Sequence, residues 1–169
     1  MVIEQTQTKT ASTKENACNV YSKRLNIAAQ DGTEFSVRHM RFLTENTMQA
    51  RYGAFRVYNQ ESQDIGFLKY TYTYDDGEGM CVHLDEMYFE NAYRNRGLGT
   101  AVLSLGLKQA DLRGVHRIEG ELHIPAEVPA RTRARILSFY QKNGFQITGG
   151  GATTHRSCRH NRRHAPRHW

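Results

Sequence analysis

No stretch of this sequence approaches the roughly 18 consecutive apolar residues of a membrane-spanning helix, and Met1–Thr10 lacks the apolar core of a secretory signal. Neither a helical anchor nor export is expected, and the default expectation is a soluble cytoplasmic protein. Cysteine is scarce too. Cys18, Cys81 and Cys158 are odd in number, widely spaced and without a Cys-x-x-Cys pair, so no disulfide framework, metal site or dithiol redox couple is expected. Cys81 reads as a small core residue rather than a nucleophile. Apolar residues make up only 38% of the chain and aromatics 10%, which predicts a real core flanked by polar ends.

Acidic residues are absent after His155, where five arginines stand: Arg156, Arg159, Arg162, Arg163 and Arg167. Subtracting those five from the net charge of +6 leaves +1 for the rest. The basic character therefore belongs to the tail, and polyanion binding would be looked for there first. The 169 residues suit one domain. Residues 1–20 read as a mobile leader, 21–150 as the folded domain and 151–169 as a disordered Arg/His-rich tail.

Within the domain, Leu25–Ala29 and Glu34–Phe42 flank Asp31-Gly32 and predict an N-terminal β-hairpin. Tyr52–Tyr58 and Ile65–Tyr74 predict a second strand pair, and Met80–Phe89 a further strand after the Asp75–Gly79 turn. The period then changes. Thr100–Arg113 has helical spacing and stops at Gly114, Val115–Ile124 reads as a strand, and Pro129–Asn143 reads as a second helix ending at Gly144. Phe145–Thr148 begins a last strand. A strand, loop, helix, strand unit of this kind makes parallel pairing, so the expected class is α/β with a mixed sheet.

The strongest chemical signal is Tyr93-Arg94-Asn95-Arg96-Gly97-Leu98-Gly99-Thr100, set between a strand and a helix. A glycine-rich turn opening a helix presents unpaired N–H groups and the positive end of the helix dipole to an anion. Arg94 and Arg96 would add charge-assisted contacts. Alone, such a string also fits a plain loop carrying arginines. A second segment, Phe139-Tyr140-Gln141-Lys142-Asn143-Gly144-Phe145, follows one strand and one helix later.

Together these two segments resemble motif A and the second signature of the GNAT (GCN5-related) N-acetyltransferases, with a likeness running from about Gly53 to Thr148. The resemblance implies a centrally splayed mixed sheet flanked by helices, with acetyl-CoA as co-substrate in the cleft between two parallel strands, and no metal. It implies that Met87, Tyr88 and Phe89 offer main-chain groups to pantetheine. Arg94, Asn95, Arg96, Gly97, Leu98, Gly99 and Thr100 would hold the pyrophosphate. Tyr140 matches the tyrosine that protonates the departing CoA thiolate, a sensible assignment because a phenol of pKa about 10 can serve a thiolate of pKa about 8.5.

The attacking amine must also lose a proton. Period-2 alternation places His83, Asp85, Met87 and Phe89 on one face of their strand and Leu84, Glu86 and Tyr88 on the other. His83 and Asp85 are therefore the expected proton path, since relatives carry histidine or glutamate at the position of His83. A structural role for either stays open, as does a packing role for Tyr140.

Three departures from the family stand out. Arg131, Thr132, Arg133 and Arg135 occupy a region where an asparagine is usual; Leu25–Phe55 looks extended where the family has helices; and the final strand is expected to be missing or replaced by the tail. The expected activity is transfer of acetyl to a primary amine by direct attack in a ternary complex. Acylation of a protein or aminoacyl-tRNA amine docked by the basic tail, and a non-catalytic acyl-CoA- or nucleic-acid-binding module, are the alternatives. A homodimer is left open and no membrane partner is expected.

Overall fold

A computed structural model of the chain describes residues 19–43, 51–75, 77, 79–149 and 151–155. The leader before residue 19 and the Arg/His tail from residue 156 lie outside the described residues. In chain order come strands β1 (Asn19–Ala28), β2 (Glu34–Leu43), β3 (Arg51–Tyr58), β4 (Asp64–Asp75) and β5 (Gly79–Phe89). A short 3-10 turn (Asn91–Tyr93) leads into helix α1 (Leu98–Leu112), then β6 (Arg117–Glu121), helix α2 (Ala130–Lys142), β7 (Gln146–Thr148) and β8 (Gly151–His155). The strands form one mixed sheet in the order β1-β2-β3-β4-β5-β6-β8-β7, so the expected α/β class holds. Every pairing is antiparallel except β5 with β6, which α1 joins by a crossover. Among the described residues, no α-helix precedes α1 and no helix is long and apolar enough to cross a membrane.

The expected loss of the last strand is corrected by β8, which inserts antiparallel between β6 and β7. Its Gly-Ala-Thr-Thr-His sequence looks like the start of a linker, yet Ala152 and Thr154 are buried. Glycine suits position 151, because a Cβ would come 3.3 Å from the Gly120 carbonyl oxygen, a tight contact that β6 would have to yield to. β6 is shorter than the predicted Val115–Ile124 strand, since the chain leaves the sheet after Glu121.

Register divides the sheet into two faces. Phe35, Val37, Phe55, Val57, Leu68, Tyr70, Val82 and Ile118 are buried on one face, and α1 lies over it with Val102, Leu103, Leu107 and Ala110 buried. A Cβ at Gly106 would meet Leu68 and Phe55 at ordinary contact distances of 3.5 and 3.6 Å, so α1 lies directly on the sheet there. Each fully buried Val or Leu in this layer contributes about 1.5–3 kcal/mol.

The expected alternation along β5 is corrected by a bulge. Tyr70 pairs with Leu84 but Lys69 pairs with Glu86, which leaves Asp85 as an extra residue. Past the bulge the faces exchange. Met87 pairs with Leu68 and Phe89 with Gly66, which puts both on the α1 face with Leu84. His83, Asp85, Glu86 and Tyr88 share the opposite face, where the Thr71 hydroxyl donates to Asp85 Oδ2 at 2.7 Å and Lys69 Nζ to Glu86 Oε2 at 2.9 Å.

His39 is a titratable side chain buried in the core. His39 stacks on Phe55 with ring centroids 4.1 Å apart, and its Nε2 lies 2.6 Å from the Tyr70 hydroxyl. Burial, reinforced by the charges of Arg113, Arg41 and Lys23, lowers His39 from 6.5 to about 3. The unfolded chain therefore takes up a proton below pH 6.5 that the fold refuses until about pH 3. The His39 contribution is complete above that upper value and lost at up to about 1.4 kcal/mol per pH unit as pH falls. Thermal melts at pH 7.0 and 4.5 are expected to show a larger acid-induced loss for the wild type than for His39→Gln, by about 3 kcal/mol. Equal losses would assign acid lability to another group.

Candidate functional site

The parallel pair is the shortest join between the two halves of the sheet. Only Cys81, Val82 and His83 face Arg117, Ile118 and Glu119, whereas β5 stays paired with β4 as far as Phe89. At the parting point a Cβ on Gly120 would sit 3.2 Å from the Leu84 carbonyl oxygen, so the strands separate from a tight contact. Beyond it Met87, Tyr88 and Phe89 have β4 on one side and, among the described residues, no strand on the other. Main-chain groups on that free side of β5 can pair with an extended amide-bearing ligand.

The loop after Phe89 ends at the head of α1. Asn95 and Gly97 take left-handed backbone angles, φ 61° and 81°, and turn the chain into the first turn of α1. α1 has no side-chain N-cap, which leaves the amides of Leu98, Gly99 and Thr100 for an anionic ligand. The loop is tied down at three points. The Tyr93 hydroxyl accepts from Asn59 Nδ2 at 3.0 Å, and Arg94 Nε donates to the Phe89 carbonyl at 2.6 Å. Arg96 forks onto Asp31 with contacts of 2.8 and 2.7 Å and also reaches the Thr33 hydroxyl.

These ties change the reading of the two arginines. Arg94 supports the end of β5 and lies 5.5 Å from the Tyr88 ring centre, with part of its guanidinium fork still available. Arg96 already neutralises Asp31, whose carboxyl is held down at about 2 by the Thr33 backbone N–H, the Thr33 hydroxyl and Arg96 itself. A phosphate would have to compete with that pairing. The β1–β2 turn is thus part of the loop's support: Gln30 N–H donates to the Arg96 carbonyl, and a Cβ on Gly97 would strike the Gln30 Cβ at 2.7 Å. Sequence reasoning missed Gln30, Asp31 and Thr33, because a turn some 65 residues upstream carries no local mark of docking here.

The second signature meets the first at one point. A Cβ on Gly99 would contact Phe139 at 3.4 Å and Phe89 at 3.7 Å, so the head of α1, the end of β5 and α2 converge there. Tyr140 sits between Phe139 and Phe145, edge-on to both, with centroids 5.1 and 5.6 Å apart. Its phenol has no hydrogen-bond partner among the described residues. Burial raises its pKa above the ordinary 10.0, which keeps it protonated and able to donate. His83 and Asp85 lie on the face of β5 opposite α1, and Glu119 of β6 stands directly across from His83. Glu119 forms an ion pair with Arg117 at 3.2 Å, and it too was not foreseen, since only register brings it beside His83.

A family model described as Acetyltransferase (GNAT) domain matches residues 51–147. The chain belongs to the GNAT acetyltransferase family. Solved structures share the fold of this GNAT domain at low identity. One is the NatC complex bound to Gag peptide and CoA, 13% identical over 62% of this chain and 71% of that one, with a TM-score of 0.51. Another is the dodecameric spermidine N-acetyltransferase of Vibrio cholerae, 12% identical over 67% and 70%, also at 0.51. No curated protein matches the chain. The GNAT match runs from β3 to β7, so the β1–β2 hairpin that braces the Arg96 loop, and β8 beyond it, lie outside the matched region.

Proposed function

We propose that the chain transfers an acetyl group from acetyl-CoA to a primary amine by direct attack in a ternary complex. The observation that carries this reading is the convergence at Gly99, where an uncapped helix head, the free edge of β5 and the helix of the Tyr140 signature meet. Pantetheine would pair with the main chain of Met87, Tyr88 and Phe89. The pyrophosphate would rest on the amides from Asn95 to Thr100, with Arg94 contributing and Arg96 acting chiefly as a brace. Membership of an acetyltransferase family supports the cofactor, as does the CoA held by the NatC complex, which has the same fold.

In the reaction the amine nitrogen bonds to the thioester carbon, the carbon–sulfur bond breaks, and the electron pair leaves on sulfur. Tyr140 delivers its phenolic proton to that thiolate. The proton lost by nitrogen passes through His83 and Asp85, directly or by water, and Glu119 is placed to steady a charged His83. No covalent enzyme intermediate is required.

Titrating the chain with acetyl-CoA by calorimetry, then following thiol release with a panel of small amines and amine-bearing peptides, tests the reading. Micromolar binding and amine-dependent thiol release are expected. Absence of acetyl-CoA binding would overturn the cofactor site; binding without release from any acceptor would make the chain an acyl-CoA-binding module.

A further inference from the structure

The face of the sheet opposite α1 carries a row of basic and aromatic side chains that the proposed acetyl-CoA site does not use. Cross-strand register places Arg24 opposite Arg38, Arg38 opposite Arg56, Arg56 opposite Phe67 and Phe67 opposite Tyr88. One straight rung thus crosses five strands, spanning about 19 Å at about 4.8 Å per strand. Its arginine end stands on β1 to β3, and its aromatic end stops at the free edge of β5.

Like charges directly opposite each other destabilise a sheet, and this rung holds two such pairs in succession. Arg24 has no partner among the described residues, and Arg38 only lies 5.9 Å from the Tyr58 ring centre. Asp64 and Glu86, the acids of the adjoining rungs, are paired with Arg56 at 2.7 Å and Lys69 at 2.9 Å. Arg24, Arg38, Arg56 and Tyr88 are all exposed. Arg56 is compensated by Asp64, so the uncompensated charge of the rung lies at Arg24 and Arg38, where a polyanion would be favoured.

Aromatic rings narrow the class of polyanion. Phe67 and Tyr88 lean on each other with centroids 5.8 Å apart, Lys69 Nζ lies 4.3 Å from the Phe67 centroid, and Tyr52 and Tyr58 stand on the same face. Cations interleaved with ring faces on an open sheet suit a single-stranded nucleic acid, whose phosphates meet the guanidinium groups while its bases stack. An acidic peptide would use the arginines and leave the rings without a role.

We infer that the rung Arg24–Arg38–Arg56–Phe67–Tyr88 docks the single-stranded nucleic-acid portion of the acceptor and leads its amine toward the fork between β5 and β6. This rests on the acyl-transfer reading for the destination of the amine, but docking is measurable without turnover.

The test is fluorescence anisotropy of a labelled 12-nucleotide single-stranded RNA with the full chain and with the Arg24→Gln, Arg38→Gln, Arg56→Gln variant. The basic tail contributes equally to both. The variant is expected to bind at least about tenfold more weakly in 0.1 M salt, with a log–log salt slope shallower by about 2, at about 0.7 per lost phosphate contact. An abasic strand of equal charge is expected to bind the wild type at least about fivefold more weakly than the ordinary RNA. The single variant Arg24→Gln, which breaks no hydrogen bond or ion pair among the described residues, guards against misfolding and is expected to weaken binding about threefold. RNA binding unchanged in both variants would overturn the inference and leave the tail as the binding element. Equal binding of ordinary and abasic strands, with displacement by poly-glutamate, would overturn it in favour of an acidic protein partner. Acetyl-CoA affinity is expected to be the same in wild type and triple variant. A wild type that binds RNA through the rung but not acetyl-CoA would sink the transferase reading alone.

Discussion

Replacing Gly99 by glutamate should abolish acetyl-CoA binding, with at least about a hundredfold rise in Kd, while the protein stays folded. The fold tolerates a side chain there. Gly99 does not have a positive φ, and its Cβ would stand at ordinary contact distance, 3.4–3.7 Å, from Phe139 and Phe89. A carboxylate in the first turn of α1 is even favourable to the free helix. Against the pyrophosphate it would act oppositely: two like charges 4 Å apart repel by about 4 kcal/mol at an effective dielectric of 20. Gly97 offers no such clean test, because its φ of 81° and the 2.7 Å approach of Gln30 Cβ would disturb the loop whatever the ligand. Calorimetry of Gly99→Glu beside Gly99→Ala, with melting curves for both, separates charge from bulk. A glutamate variant that binds acetyl-CoA like the wild type would remove the head of α1 from the binding site.

That Gly99 could be singled out at all reflects which physics is local. The turn at Asp31-Gly32, the glycines that open α1 and the Pro129 start of α2 each depend on backbone angles within a few residues, and each is visible along the chain. The exchange of faces in β5 was not, because Asp85 becomes a bulge only through pairing with β4, where Lys69 and Tyr70 fall out of step. Composition misled at Gly151–His155 for a related reason. Glycine there reads as a linker, yet its use is a close approach to β6, and threonine supplies the β-branched side chains that fill a strand. The brace from Asp31 to Arg96 and the arginine rung both depend on partners brought together from distant parts of the chain. No periodicity within one strand could disclose either. The site was therefore legible where a ligand meets a single loop, and hidden where it is built across the sheet.

Tyr140→Phe is expected to lower kcat by about 10²-fold or more while acetyl-CoA affinity stays within about twofold. The substitution removes one atom from a well-defined place. Phenylalanine keeps the edge-on packing against Phe139 and Phe145, and the hydroxyl it lacks has no hydrogen bond among the described residues to lose. Stability should hold, since the ring keeps its packing and the partly buried residue's hydroxyl is not sealed from solvent. Because burial raises the phenol above 10.0, its acid form is complete through neutral pH, and the rate loss caused by its deprotonation must lie above that value. A fall in wild-type rate at lower pH would report another group. A fall that persists unchanged in Tyr140→Phe would place that group outside the proton delivery to sulfur. Equal losses of kcat and acetyl-CoA affinity would make Tyr140 a wall of the cleft. A selective loss of kcat makes it the acid, because only the departing thiolate, formed after binding, needs the proton it carries.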